Sequence, residues 1–485
     1  MFLRMIYDEK LSQAAYLIGC EGSGEAVVID PQRDVDRYID LASENELSIV
    51  AVAETHIHAD FLSGARELAE RVGAFVYVSG EGGEAWSSRW LDKKEGGGAY
   101  PHRELRDGDV FAVGGVTLRA VHTPGHTPEH LSYLVTDTAS GAEEPIGVVT
   151  GDFVFVGDLG RPDLLETAAG EAGAMEPSAR RLHETVGVLD TLAEYVQVWP
   201  GHGAGSACGK ALGAVPTSTI GYERRHNAAL RAAGDEREFV EFILSGQPEP
   251  PLYFAEMKRL NRDGPPVLGG LPVPGRVTGE RMAEAAASSG VVIDARPWGE
   301  FKAGHLSGSL SIPIGRHFPT DAGSLVAHGS SVWLVVEESR LEEAVRDLVR
   351  IGLDRIEGWC APDEIESLGR RGVALETTEE VGLDRARAMV RSGEVGVLDV
   401  RRASEFEGGS LPGAVNVAHT RLGGRLDEVP RGRRLLVSCR TGRRSAVAAS
   451  YLQRAGFDVV NFDGGYQAWS GAGTAPGATS KEAEG

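Results

Sequence analysis

The sequence predicts a multidomain α/β protein, with one large layered domain followed by two small domains with parallel sheets. Three observations predict it. Residues 1–245 mix short apolar strands with helical stretches, and polar motifs stand where the strands end. Residues 276–474 repeat themselves at a spacing of about 100 residues, too long for a solenoid and right for a duplicated domain. A chain of 485 residues with 42% hydrophobic content has room for about three domains, each with its own core.

In the first domain, residues 11–30 end in Val27-Val28-Ile29-Asp30-Pro31, a buried strand stopped by proline. Residues 35–46 have helical spacing. Ile49 to Ala53 is a second buried strand and runs directly into Thr55-His56-Ile57-His58-Ala59-Asp60. Leu62 to Val72 reads as a helix, and further strands are expected at 74–78, 110–113, 116–121, 131–135, 146–150 and 196–199. Residues 246–275 hold two Pro- and Gly-rich stretches, Gln247 to Pro251 and Gly264 to Pro274, which mark a helical extension and linker.

The repeat is legible residue by residue. Val291 to Arg296 matches Gly396 to Arg401, and Glu300-Phe301 matches Glu405-Phe406. Leu306 to Leu310 matches Leu411 to Val415, and Ile351 to Asp354 matches Ala455 to Asp458. Each copy alternates buried strands with helices, which predicts small parallel-sheet units at 276–375 and 376–474. Residues 475–485 are small and polar, and are expected to be a disordered tail.

The formal net charge of −22 argues against a general role on nucleic acid or an anionic membrane. Four scattered cysteines, Cys20, Cys208, Cys360 and Cys439, form neither a disulfide framework nor a Cys-based zinc site. The N-terminal stretch carries charge where a signal peptide needs an apolar run, and no stretch matches a membrane helix. A cytoplasmic protein is expected.

Five pieces of the first domain carry chemistry: His56-x-His58-x-Asp60, Gly125-His126-Thr127, Gly151-Asp152, Arg161 and Pro200-Gly201-His202. A lone histidine is more often a hydrogen-bonded loop or core residue. Here each imidazole follows a strand or sits beside glycine, where the chain can turn and present it. The joint order resembles the metallo-β-lactamase superfamily across roughly residues 1–235, and within it persulfide dioxygenases and, more distantly, glyoxalase II. The resemblance implies an αββα sandwich and makes His56, His126 and Asp152 the metal ligands. Two imidazoles and a carboxylate suit one non-haem Fe(II) per chain. Zinc is the alternative. His58, Asp60 and His202 would lie near the metal. Two-metal members have histidine after the Asp of HxHxD, whereas this chain has Phe61. A second metal site is therefore expected to be damaged. His122 is expected to be structural.

Arg161 matches a GRxD segment that helps bind the thiol part of the substrate in the dioxygenases; a surface salt bridge is the alternative. Cys208 sits between glycines beside Lys210 and near the expected metal, which suggests a lowered pKa and a sulfur-handling role.

In the last domain, Leu435 to Ser438 is a strand, Cys439-Arg440-Thr441-Gly442-Arg443-Arg444 a tight loop, and Ala446 to Ala455 a helix. Loop N–H groups and the helix N-terminus would face the sulfur and favour its thiolate, and three arginines could hold an anionic donor or acceptor. The segment 380–472 resembles rhodanese sulfurtransferases, also through Leu398 to Arg401, Gly413 to Asn416 and Gly464-Gly465-x-x-x-Trp469. The six loop residues have the sulfurtransferase length, one fewer than the related phosphatase loop. In the middle repeat the equivalent position reads Glu337-Glu338-Ser339-Arg340, without cysteine or glycine. That copy is expected to be an inactive rhodanese-like module, with Cys360 outside the loop position.

The resemblance as a whole implies a multidomain persulfide dioxygenase–sulfurtransferase. Its substrates would be a low-molecular-weight thiol persulfide, carried by glutathione, coenzyme A or another thiol, and O₂. Sulfite and thiosulfate would be exchanged at Cys439. A dimer or tetramer is expected, and no nucleic acid or membrane partner. A zinc thioester hydrolase with an accessory sulfurtransferase is the alternative.

Overall fold

A computed structural model describes residues 1–167, 170 and 172–471. The tail expected at 475–485 and the last residues of the domain expected to end at 474 lie outside the described residues. The chain forms two compact units. The first holds residues 1–273 together with 315–323 and 342–354, and the second holds 274–314, 324–341 and the chain from 355 onward.

The first unit has two six-stranded sheets. One runs in the order β1 (Phe2–Asp8), β2 (Gln13–Cys20), β3 (Glu25–Ile29), β4 (Ser48–Ala53), β5 (Phe75–Ser79) and β6 (His102–Leu105). The other contains β7 (Val110–Val113), β8 (Val116–His122), β9 (Leu131–Asp137), β10 (Gly147–Gly151), β11 (Gln197–Pro200) and β12 (Ser218–Thr219), in the spatial order β12-β11-β10-β9-β8-β7. The period of two along a strand sorts side chains onto two faces. Ala14, Tyr16 and Ile18 of β2 meet Leu118, Tyr133, Val149 and Trp199 in the core between the sheets. Ala15 and Leu17 point the other way, into a second core with Tyr38, Ala42 and Leu68 from flanking helices. Val148 of β10 joins a third core with Leu182, Phe239 and Ile243. Helices, sheet, sheet, helices is therefore the layer order.

The strands expected from periodicity are all present, shifted by at most two residues at their ends. Phe2–Asp8 and His102–Leu105 were not anticipated, because both carry mostly half-exposed or exposed side chains and lack a clean alternation. The helical extension is Phe254–Asp263. Its Asn261 donates from Nδ2 to the carbonyls of His58 and Phe61, both at 2.7 Å, and fixes the HxHxD loop.

The segments 315–323 and 342–354 fall inside the sequence repeat but belong to the first unit. Arg350 supplies the reason, since its buried guanidinium binds Asp34 and Asp8, and its carbonyl accepts from Leu62 N–H at 2.7 Å.

The second unit holds two parallel sheets. The first contains β13 (Val291–Asp294), β14 (Leu310–Ser311), β15 (Val332–Val335) and β16 (Ile356–Cys360), ordered β14-β13-β15-β16. The second contains β17 (Glu379–Val381), β18 (Gly396–Asp399), β19 (Ala414–Asn416), β20 (Leu435–Ser438) and β21 (Val459–Phe462), ordered β17-β21-β20-β18-β19. Both copies keep one buried device after the first repeat strand. Arg296 clasps Asp294 with Nε–Oδ1 at 2.9 Å and Nη2–Oδ2 at 2.6 Å, and Arg401 clasps Asp399 at the same two distances. Among the described residues, no helix is long and apolar enough to cross a membrane.

Candidate metal centre and cysteine loop

The ligand loops leave the ends of strands, as the spacing predicts. His56 follows β4, Asp152 follows β10, and His202 follows β11. Glycines make the close approach possible. A Cβ on Gly201 would lie 2.8 Å from Asp152 Oδ1, and one on Gly160 would collide with the Asp152 carbonyl. Gly151 has φ +49°, and a Cβ there would meet Thr55 Oγ1 at 2.6 Å.

Hydrogen bonds fix which nitrogen each imidazole presents. Thr55 donates its hydroxyl proton to Asp30 Oδ2 at 2.8 Å, so it can only accept from His56 Nδ1, 2.9 Å away. His126 Nδ1 faces the Arg161 carbonyl at 3.0 Å, and His202 Nδ1 faces the Ser12 carbonyl at 3.0 Å. A carbonyl only accepts, so all three rings carry the proton on Nδ1 and turn the Nε2 lone pair inward. Burial, and for His56 also the neighbouring imidazoles, holds His56 and His126 below the ordinary histidine pKa and therefore neutral.

His56, His126 and Asp152 offer ligand atoms that all lie within 4.8 Å of one another. His126 Nε2 is 3.5 Å from Asp152 Oδ2, and His202 Nε2 is 3.5 Å from Asp152 Oδ1. Both carboxylate oxygens of Asp152 are buried without a hydrogen-bond partner among the described residues. Two neutral imidazoles aimed at an unsatisfied carboxylate are a donor set that fits a divalent metal.

His58 lies beside this set but outside it. Its Nε2 is 3.3 Å from both Asp30 Oδ1 and Glu54 Oε2. Burial alone would lower its pKa, but those two carboxylates raise it well above 6.5. Asp30, Glu54 and His58 thus form a buried set of their own, with ligand atoms within 4.8 Å of one another. Its ring packs on Phe61, with centroids 4.4 Å apart.

The position after the HxHxD aspartate is Phe61, as the sequence shows. Phe61 does not ligate, yet Asp60, His202 and Cys208 form a second buried set whose ligand atoms also lie within 4.8 Å of one another. His202 and Cys208 share the connection between β11 and β12, and Asp60 comes from the loop after β4. The lowered pKa expected for Cys208 is contradicted. Burial pushes the thiol well above its ordinary value, and Asp60 and Asp152 push the same way. Lys210 does not help, because its ammonium donates to the carbonyls of Phe242 and Ser245.

Arg161 is buried, not at the surface. It binds Asp163 through Nε at 2.8 Å and Nη2 at 2.5 Å, and donates from Nη1 to the Ala207 carbonyl at 2.8 Å. His122 stands outside the ligand sets, with Nε2 2.8 Å from the Pro128 carbonyl. Two residues of the site were missed by sequence reasoning. His130 stacks on His56 at 5.0 Å and accepts the Asp152 N–H at 3.0 Å. Glu129 accepts from Ile57 N–H at 2.8 Å, and burial raises it to about 7. Their position directly after the Gly125-His126-Thr127 motif was the available signal.

In the second unit Cys439 follows β20. Gly442 N–H donates to its Sγ at 3.1 Å and the Ser445 hydroxyl at 3.5 Å. Gly442 has φ +106°, which the loop needs in order to turn its N–H at the sulfur, and the helix Arg443–Arg454 starts immediately after. Arg440, Thr441 and Arg443 are exposed around it. Arg444 is partly buried and pairs with Glu405 at 2.6 and 2.8 Å. In the middle repeat, Cys360 ends β16, and burial pushes its thiol up to about 12.

The metallo-β-lactamase superfamily model matches residues 9–202, and the rhodanese-like domain model matches 383–472. A solved metallo-β-lactamase from Staphylococcus aureus subsp. aureus COL is 37% identical, covering 74% of this chain and 99% of that one, with a TM-score of 0.65. This chain belongs to the metallo-β-lactamase superfamily. The solved ETHE1 from Myxococcus xanthus is 30% identical over 54% of this chain and 99% of that one, with a TM-score of 0.43. A hydroxyacylglutathione hydrolase of Prochlorococcus marinus (strain MIT 9211) is 29% identical over 143 residues, 29% of this chain and 51% of that protein. In this metallo-β-lactamase-fold enzyme the ligand sets belong to the first unit, and Cys439 to its rhodanese-like domain.

Proposed function

We propose that this enzyme oxidises a low-molecular-weight thiol persulfide with O₂ at one iron per chain, and that its rhodanese-like domain moves sulfane sulfur. The observation that carries the reading is the presence, in one chain, of a two-imidazole, one-carboxylate donor set and a cysteine loop built for sulfur transfer. The overall oxidation is RSSH + O₂ + H₂O → RSH + SO₃²⁻ + 2H⁺. The outer sulfur loses four electrons and O₂ gains four. Iron held by His56, His126 and Asp152 would supply the redox chemistry with O₂.

The chain's own residues supply the rest. Thr55 and the Arg161 carbonyl lock the two ligating rings, and the buried surroundings keep bulk water from the reacting sulfur. At Cys439, thiolate attack on the outer sulfur of RSSH forms a cysteine persulfide and releases RS⁻. Attack of sulfite on that outer sulfur then returns the thiolate and yields thiosulfate. Tethering both chemistries raises the effective concentration of the shared sulfite.

A second reading is favoured by one observation, the adjacent Asp60, His202 and Cys208 set. Two zinc ions there would make a thioester hydrolase, the class named for the Prochlorococcus relative. Anaerobic purification with metal quantitation, followed by O₂ uptake with a panel of persulfides, tests both. One iron per chain and persulfide-dependent uptake support the first reading; two zincs without uptake sink it.

A further inference from the structure

The first unit contains a cavity of about 610 Å³, within the range of small-molecule sites. It is lined by Tyr7, Lys10, His202, Gly315 and the exposed Arg316 among others. His202 joins it to the ligand sets, because its Nε2 lies 3.3 Å from Asp60 and 3.5 Å from Asp152. His202 is the one member of the ligand sets among the cavity's lining residues, so a molecule seated here lies against both His202 and Arg316.

The cavity is shaped around Arg316. The guanidinium Nη2 donates to the Ala204 carbonyl at 3.0 Å. A Cβ on Gly205 would lie only 2.3 Å from that nitrogen, and one on Gly203 would lie 2.6 Å from the Tyr7 hydroxyl. Gly205 also has φ +101°, so the loop after His202 is glycine where the arginine rests. Of the other charges that line it, Glu9 is exposed, and Lys10 and Asp8 are paired. Lys10 binds Glu343 and Asp347, and Asp8 binds Arg350. Arg316 forms no ion pair among the described residues and keeps donors for a ligand. Arg161, the cation expected to bind substrate, is buried and gives three of its five donors to Asp163 and Ala207.

We propose that this cavity seats the carrier of the thiol persulfide and that Arg316, supplied by the middle repeat, holds an anionic group on that carrier. The substrate class is then an anionic low-molecular-weight thiol, a deepening that rests on the persulfide reading above. The guanidinium fork suits a carboxylate or a phosphate equally.

The test is calorimetric binding of three inert thioethers to the full chain: S-methylglutathione for carboxylates, S-methyl-coenzyme A for phosphates, and S-methylcysteamine without an anion. At least one anionic probe should bind, and whichever does so names the group. R316Q should weaken it about tenfold or more, R316K should recover part of the loss, and S-methylcysteamine should be unaffected. With the matching persulfide, R316Q should raise KM and leave kcat near its original value. Equal binding by R316Q, an equal loss for S-methylcysteamine, or no binding of either anionic probe overturns the proposal. Binding is read without turnover. Arg316-dependent binding in a protein that consumes no O₂ with any persulfide would sink the oxidation and leave the subsite standing.

Discussion

Arg350 grips Asp34 through two parallel hydrogen bonds, Nε to Oδ1 at 2.9 Å and Nη2 to Oδ2 at 2.6 Å. The pair is almost fully buried, and Arg350 Nη1 also reaches Asp8 Oδ2 at 2.6 Å. An arginine from the sequence repeat thus completes the charge balance of the first unit, between the strand β1 and the start of the helix Asp36–Glu44.

Arg350→Ala should therefore destabilise the first unit by about 3–5 kcal/mol, because two carboxylates stay buried without the guanidinium. Denaturant unfolding measures it, and a loss below about 1 kcal/mol would count against the pair. The pH dependence has a definite sign. Burial alone would raise Asp34, but Arg350, Arg37 and Arg346 hold it below its ordinary 3.8. Its contribution is complete above that value and is lost as pH falls through the lower folded pKa. In Arg350→Ala this acid-side loss should begin at a higher pH.

Asp152→Ala should lose the metal. Its carboxylate is the one anionic ligand of the set, and the two imidazoles that remain cannot complete a facial site. Elemental analysis should give about one iron per chain in the native protein and close to none in the variant. Retained iron would place the metal elsewhere.

The candidate site residues stood out because chemistry and backbone coincide in the sequence: His56, Asp152 and His202 each follow a strand, and His126 and Asp152 stand beside a glycine; the family resemblance chose His56, His126 and Asp152 among them. Strands and helices were legible because buried strands and amphipathic helices have distinct periods, whereas the αββα layer order was implied by the family resemblance. What stayed hidden depends on tertiary partners. His58 has the same spacing as a ligand, but its Nε2 faces Asp30 and Glu54, which the spacing does not show. Cys208 reaches Asp60 from a separate loop. The helix Leu341–Arg350 has a strong apolar stripe, but a stripe does not say which side chains its polar end will meet, so Arg350's attachment to Asp34 was invisible.

Cys208→Ala should keep one iron per chain and persulfide-dependent O₂ uptake. The thiol is held protonated by burial and by two carboxylates, so it is a poor nucleophile. Iodoacetamide mapping of the folded native protein at mildly alkaline pH should leave Cys208 unmodified. A halved metal content in the variant would instead show that Asp60, His202 and Cys208 hold a second ion.

On the proposed reading, Cys439→Ser separates oxidation from sulfur transfer. The metal ligands lie in the first unit, so O₂ consumption with a small persulfide should remain largely intact. A serine oxygen cannot carry sulfane sulfur, and Cys360, buried and with its thiol pushed up to about 12, offers no replacement. Transfer between thiosulfate, sulfite and thiols should vanish, and the product mixture should shift from thiosulfate toward sulfite. Arg440→Ala should weaken the same step about tenfold by removing a charge-assisted contact to the anion. Arg444→Ala should act differently, by freeing Glu405 and loosening the loop instead of raising KM alone. The measurement is simultaneous O₂ uptake with quantitation of sulfite and thiosulfate in native protein and variants. An unchanged thiosulfate yield in Cys439→Ser would move the transfer to another cysteine or to direct reaction of sulfite with persulfide. Metal-free Cys439→Ser supplied with sulfite and persulfide separates these two, because only the direct reaction proceeds at the same rate when the protein is left out.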